Sequence, residues 1–175
     1  AFLDVTASLR LFGSGPDMAR MIRRRVLERT GLTVSVGISV NKFLAKMASG
    51  KAKPDGIFEV QSDRIEDFLS ALPVGELWGV GKVGVSRLEQ YGIRKVSDIL
   101  RSDQPRLKKL LGDKLGEQIW RLARGIDDRE VEPEHKEKSI GAEKTYARDL
   151  HGIQALEKAL LVLAEEVGRR VRAAE

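Results

Sequence analysis

Gly79-x-Gly81-x-x-Gly84, within GELWGVGKVGVSRLEQYGI at residues 75–93, restricts the fold of this chain more than any other pattern in it. Two architectures use such glycines. A dinucleotide-binding loop needs a buried strand directly before it, a long helix after it and an acidic strand end some 20 residues on. Here Pro73-Val74-Gly75-Glu76 precedes the glycines, which is no central strand, and Asp103 falls in the polar RSDQPR turn. A P-loop fails too, because Val83 follows Lys82 where Ser or Thr would ligate magnesium. The alternative is a helix–hairpin–helix. Its glycines let the backbone turn sharply, with positive φ expected at Gly81, and approach a phosphate without an intervening Cβ. Amides at the start of the next helix then point at the anion, aided by the helix dipole. Leu77, Val80, Leu88 and Ile93 would form the small core between the two helices. A purely structural glycine turn between helices fits the same letters.

Charge bears on the choice. The net charge is +5, and residues 82–125, behind the hairpin, hold 11 basic and five acidic side chains. A local basic field concentrates polyanions, although a soluble Lys/Arg-rich face has the same composition. A hairpin of this kind reads backbone rather than bases, so non-specific DNA binding is the expectation.

The remaining sequence divides into three sections. Up to about Leu72, strands and helices alternate. Phe2–Val5 reads as a short strand, and Pro16-Asp17 opens a helix carrying Met18, Ile22 and Val26 and closed by Gly31. Leu32, Val34, Val36 and Ile38 show the period of two of a half-buried strand. Asn41 is a good N-cap for a helix with Phe43, Leu44 and Met47 on its inner side. A turn at Lys53-Pro54-Asp55-Gly56, a strand at Ile57–Val60 and a helix from Ser62 or Asp63 complete an α+β layer, a sheet with helices on one face. Residues 74–125 are helical, with Leu107, Leu111, Leu115, Ile119 and Leu122 on one apolar stripe. After the charged DDREVEPEHKEK linker, Ile140, Ala142 and Tyr146 mark a strand and Ile153 to Val171 a long amphipathic helix. One strand and one helix enclose no core. Together with a first residue other than methionine, this predicts a piece of a longer chain.

Other classes are excluded or weakened. There is no cysteine for a disulfide or thiolate site, which suits a cytoplasmic protein, and His135 and His151 stand far apart in polar surroundings. No apolar run reaches the roughly 20 residues that cross a bilayer. A nuclease, a glycosylase or a nucleotide-dependent oxidoreductase would need its own reactive cluster, and none is visible.

SVGISVNKFLAKMASGKAKPDG at residues 35–56 adds Lys42 and Lys46 on one helix face and Lys51 and Lys53 in the turn beyond. Converging ammonium groups suit a triphosphate, and a solvated lysine face is the competing reading. This segment, with AFLDVT upstream, WGVGKVGVSRL downstream and DDREVEPEHKEKSIGAEKTYARDLH beyond, resembles the Y family of translesion DNA polymerases along essentially the whole chain. The resemblance implies an α+β partial palm over residues 1–73 and a small all-helical thumb with the helix–hairpin–helix over 74–130. A linker at 131–138 and the start of an α/β little finger at 139–175 would follow. It implies nucleotide binding by Lys53, with Lys46 beside the active site. DNA-backbone contacts are implied at Val80, Gly81, Lys82, Val83 and Gly84, and at Lys138, Ser139, Ile140 and Gly141.

The same resemblance places the catalytic Ser-x-Asp-Glu motif just before Ala1, with the other metal-binding aspartate further upstream. No catalytic or metal-binding residue is therefore expected in this stretch. Asp4 matches a non-catalytic position. The implied activity of the whole protein is DNA-directed nucleotide addition opposite damaged template, using Mg2+ and acting on primer-template DNA and deoxynucleoside triphosphates. A sliding clamp is the further implied partner. The alternative is a stand-alone, non-catalytic protein that binds the DNA backbone through its hairpin.

Overall fold

The computed structural model describes residues 1–132 and 139–174. They form two compact units, Ala1–Val131 and Glu132–Glu175.

In the first unit, α1 (Leu9–Phe12) leads into α2 (Gly15–Thr30). Ser14 and Asp17 form a capping box at the start of α2, and Ser14's hydroxyl and amide pull the Asp17 carboxyl down to about 2. Gly31, with φ +69, closes α2. Strands β1 (Val36–Ile38) and β2 (Ile57–Glu59) pair in parallel, Val36 opposite Ile57, with α3 (Lys42–Lys51) as the crossover. Gly37 is required there: a Cβ would lie 2.1 Å from the Ala45 carbonyl oxygen, so α3's backbone rests directly on β1. Then follow α4 (Ile65–Ser70), the hairpin, α5 (Lys82–Gln90), α6 (Val96–Leu100), α7 (Gln104–Leu111) and α8 (Asp113–Leu122).

One core runs through this unit, from Phe43 and Leu44 of α3 through Leu69, Val74, Leu77 and Leu88 to Ile119 and Leu122. The mixed order of strands and helices gives the expected α+β class. In the second unit α9 (Ile153–Ala174) buries no residue completely, and Ile153, Leu156 and Leu160 stand 74, 46 and 65 % exposed. Among the described residues no helix is long and apolar enough to cross a membrane.

Several expected elements differ. Phe2–Val5 is irregular and continues into a 3-10 turn, Thr6–Ser8; the described strands pair with each other and leave it no ladder. The strand expected from Leu32 begins only at Val36, because pairing with β2 spans three residues. The stripe from Leu107 to Leu122 is not one helix. It breaks at Gly112, whose φ of +86 folds α8 back against α7. Ile140, Ala142 and Tyr146 do alternate as the half-buried positions, yet they have no partner strand among the described residues and form no ladder.

Candidate nucleic-acid interface

The segment before the glycines is shorter than a helix. Val74–Glu76 makes a single 3-10 turn, tied to the α5–α6 connection by the Val74 amide donating to the Arg94 carbonyl at 2.9 Å. Leu77 and Val80 are buried on either side of the turn, with Leu88 and Ile93 beneath them, as the sequence predicts. The positive φ, however, belongs to Gly79 (+99) and not to Gly81 (−75). The Val80 amide donates back to the Leu77 carbonyl at 3.1 Å, and that closure needs Gly79 in a conformation that L side chains rarely adopt. Gly81 has another role. It is the N-cap of α5, and a Cβ placed on it would meet nothing within 4 Å. The space above it is open.

No side chain caps α5 and no acid lies in its first turn. The amides of Lys82, Val83 and Gly84 have no intrahelical acceptor, as in any first turn. At several other starts a carboxylate is at hand: Asp103 accepts from the Arg106 amide on α7, Asp17 and Asp98 accept from the amides of their N-cap residues Ser14 and Lys95, and Asp113 lies in the first turn of α8. Lys82 and Val83 are exposed. A start of this kind, at the head of a basic segment, can take an anion with its backbone.

α3 runs alongside the approach to the hairpin. Lys46 Nζ lies 5.3 Å from the centre of the Trp78 ring, and Lys51 Nζ lies 3.5 Å from the Glu76 carboxylate. Phe2 stacks on Trp78 at 6.4 Å between centroids. Lys46 is thus brought to the hairpin, whereas Lys53 lies beyond the end of α3, exposed and with no ion-pair partner among the described residues. Ser139, Ile140 and Gly141 belong to the other unit, where the Gly141 carbonyl accepts from Arg170 at 2.7 Å. Lys138 and His135 lie outside the described residues.

A latch that no motif announces sits at the start of α3. Asn41 accepts from the Leu44 amide at 3.0 Å and donates to the Gly125 carbonyl at 2.7 Å. Asp127, its side chain 4 % exposed, accepts from the Phe43 amide at 3.0 Å and from Arg129 at 2.6 and 3.0 Å. Burial raises the Asp127 pKa, but the bonds from Arg129 and from the Phe43 amide outweigh it and leave the carboxyl below its usual range. The Arg129 guanidinium in turn lies 4.1 Å from the Trp78 ring centre. The alternation of charges in GIDDRE gives no hint of this. Nothing in that run separates Asp127, whose side chain is buried, from the exposed Asp128 beside it.

Among the described residues no three His, Cys, Asp or Glu side chains gather to hold a metal ion. Asp4 is exposed and accepts from the Thr6 amide at 2.9 Å. The described residues offer no set of donors that fits a divalent cation, and no step through one follows from them.

A sequence profile of the impB/mucB/samB family matches residues 1–50. One described as the thumb domain of DNA polymerase-iota matches residues 75–127, and the impB/mucB/samB family C-terminal domain matches 137–175. DNA polymerase IV of Desulfatibacillum aliphaticivorans is 43 % identical over 175 residues, which is 100 % of this chain and 44 % of that protein. DNA polymerase IV of Cronobacter sakazakii is 40 % identical over 175 residues, 100 % of this chain and 50 % of that one. A ternary complex of Dbh with partially disordered substrates superimposes with TM-score 0.70 at 30 % identity, over 96 % of this chain and 50 % of that one. DinB from Sulfolobus solfataricus gives 0.64 at 36 % identity, over 70 % and 36 %. The chain spans about half the length of the curated relatives it matches.

Proposed function

The chain belongs to the impB/mucB/samB family, the Y family of DNA polymerases, and from that premise we propose that it is the part of a translesion polymerase that grips DNA and contacts the incoming nucleotide. The hairpin amides over Val80–Gly84 hold a backbone phosphate, and Lys82 adds charge beside them. Lys53 contacts the triphosphate of a deoxynucleotide, with Lys46 next to the site. Ser139, Ile140 and Gly141 follow the DNA backbone with their main chain, as does Lys138. Residues 1–73 then serve as palm, 74–130 as thumb, 131–138 as linker and 139–175 as the opening of the little finger. The whole protein uses magnesium, held by carboxylates other than those of this stretch, works in the cytoplasm and engages a sliding clamp.

One observation carries the reading: α5 begins at a glycine with open space above it, no side-chain cap and no acid in its first turn. Only the backbone is offered there, so binding to duplex DNA should be indifferent to sequence. Fluorescence anisotropy on a labelled duplex at several salt concentrations tests it. The logarithm of the affinity should fall against log[salt] with a slope of about −0.9 per phosphate neutralised. Gly81→Val, with its fold checked by circular dichroism, should weaken binding at every salt. Lys82→Ala should keep the grip and reduce the slope by about one unit or less. Equal affinity of wild type and a folded Gly81→Val would refute the role of the hairpin.

A further inference from the structure

The 53–56 turn has two anchors of unequal kind. On one side it continues from α3: the Ala52 amide donates to the Ala48 carbonyl at 2.9 Å and the Lys53 amide to the Gly50 carbonyl at 3.3 Å. On the other side stands a single side chain from α2. Arg23 donates through Nη2 to the Asp55 carbonyl at 2.5 Å and to the Asp55 carboxylate at 2.6 Å. Its Nε donates to the Val34 carbonyl at 3.1 Å and reaches the same carboxylate at 3.3 Å. Val34 precedes β1 and Gly56 precedes β2, so this one guanidinium joins the approaches to both strands.

The turn needs that support. Asp55 has φ +44, a left-handed conformation that costs a non-glycine residue free energy. Gly56 is pressed so closely on Ala52 that a Cβ would lie 2.3 Å from its carbonyl oxygen. Other arginines of α2 do nothing comparable: Arg20 pairs with Asp17 and Arg24 with Glu28, both on their own helix. A planar fork can meet a carbonyl and a carboxylate in one geometry, which a lysine ammonium cannot do.

We propose that Arg23 is a positioning residue for nucleotide use, fixing the left-handed turn at Asp55 so that Lys53 is presented to the triphosphate. This rests on the nucleotide-contact reading of Lys53. Arg23 touches no substrate and acts through the turn.

The test is a double-mutant cycle in the whole polymerase, reading nucleotide KM, kcat and the Kd for primer-template DNA. Lys53→Ala should raise the nucleotide KM about ten- to a hundredfold, the scale of one lost charge-assisted bond. Arg23→Ala should raise it severalfold while the DNA Kd stays unchanged, and the double variant should be no worse than Lys53→Ala alone. Arg23→Lys should not rescue. Asp55→Gly keeps the positive φ and removes the carboxylate, so it should move KM in the same direction and serves if Arg23→Ala does not fold. Hydrogen exchange gives a reading apart from activity: the Val36 amide, which donates to the Gly56 carbonyl at 2.9 Å, should exchange faster in Arg23→Ala or Asp55→Gly. Multiplying effects in the double variant, unchanged Val36 exchange, or loss of DNA binding in step with KM would each overturn the proposal while leaving Lys53 in its role. A Lys53→Ala variant with unchanged nucleotide use would overturn both.

Discussion

Protonating Asp127 disturbs three groups together: the Phe43 amide, the Arg129 fork and, through Arg129, the face of Trp78. Its folded pKa lies below the ordinary carboxylate value, so its contribution to stability is present above that ordinary value and is lost as pH falls through the folded one. Asp127→Ala should therefore lose about 1–3 kcal/mol in urea denaturation at pH 7. The gap to wild type should shrink below about pH 4, where the wild-type carboxyl takes up its proton. A gap constant from pH 7 to pH 3 would mean that the latch carries no titrating charge. Asn41 was legible as a cap because capping is local and it sits next to the helix it starts; Ser14 and Asp103 cap α2 and α7 in the same way, although the sequence pattern puts the α2 start at Pro16-Asp17 and Asp103 in a turn. Asp127 was not legible, since the helix it caps begins 85 residues earlier in the chain. The same distance hid Arg23, whose partners lie 11 and 32 residues away.

Where two elements meet, glycines decide how closely. Gly116 of α8 faces the backbone of α7: a Cβ would sit 2.5 Å from Lys108 Cα, while Lys108 and Glu117 close the same contact with a 2.9 Å ion pair. Gly116→Ala must push the helices apart and should lower stability by about 1–3 kcal/mol, seen as a shifted urea midpoint with unchanged slope. In the hairpin the two glycines separate by role. Gly79→Ala forces a side chain into φ +99 and towards Gln118 at 3.1 Å, so it should cost about 1–2 kcal/mol of folding stability. Gly81→Val leaves the core untouched, and its larger effect should fall on DNA affinity. A melting point lowered more by Gly81→Val than by Gly79→Ala would contradict this division. The helices were legible from their period and caps. The strands were less so, because a ladder depends on a partner and the pattern at Phe2–Val5 or Ile140–Tyr146 carries no information about one. The break at Gly112 was hidden by a stripe that keeps helical spacing across two helices.

At the scale of the whole chain the two units differ in what holds them. Unit one has a continuous core, and α9 has no fully buried side chain. Amides of α9 should exchange with solvent well before those of α8, whose Ile119 and Leu122 are buried; equal protection would contradict this. The chain by itself should extend no primer with any divalent metal, for want of gathered carboxylates among its described residues. Extension surviving rigorous removal of contaminating polymerase would sink the proposed division of labour. The core of unit one also reaches across both candidate contacts, from Phe43 and Leu44 on the helix that leads to Lys53 to Leu77 and Val80 under the hairpin. A unit of this size built on one core is expected to melt in one step. Under the proposed function, a heat-stressed copy therefore gives up the hairpin's grip and the nucleotide turn together, so neither contact of this unit outlives the other.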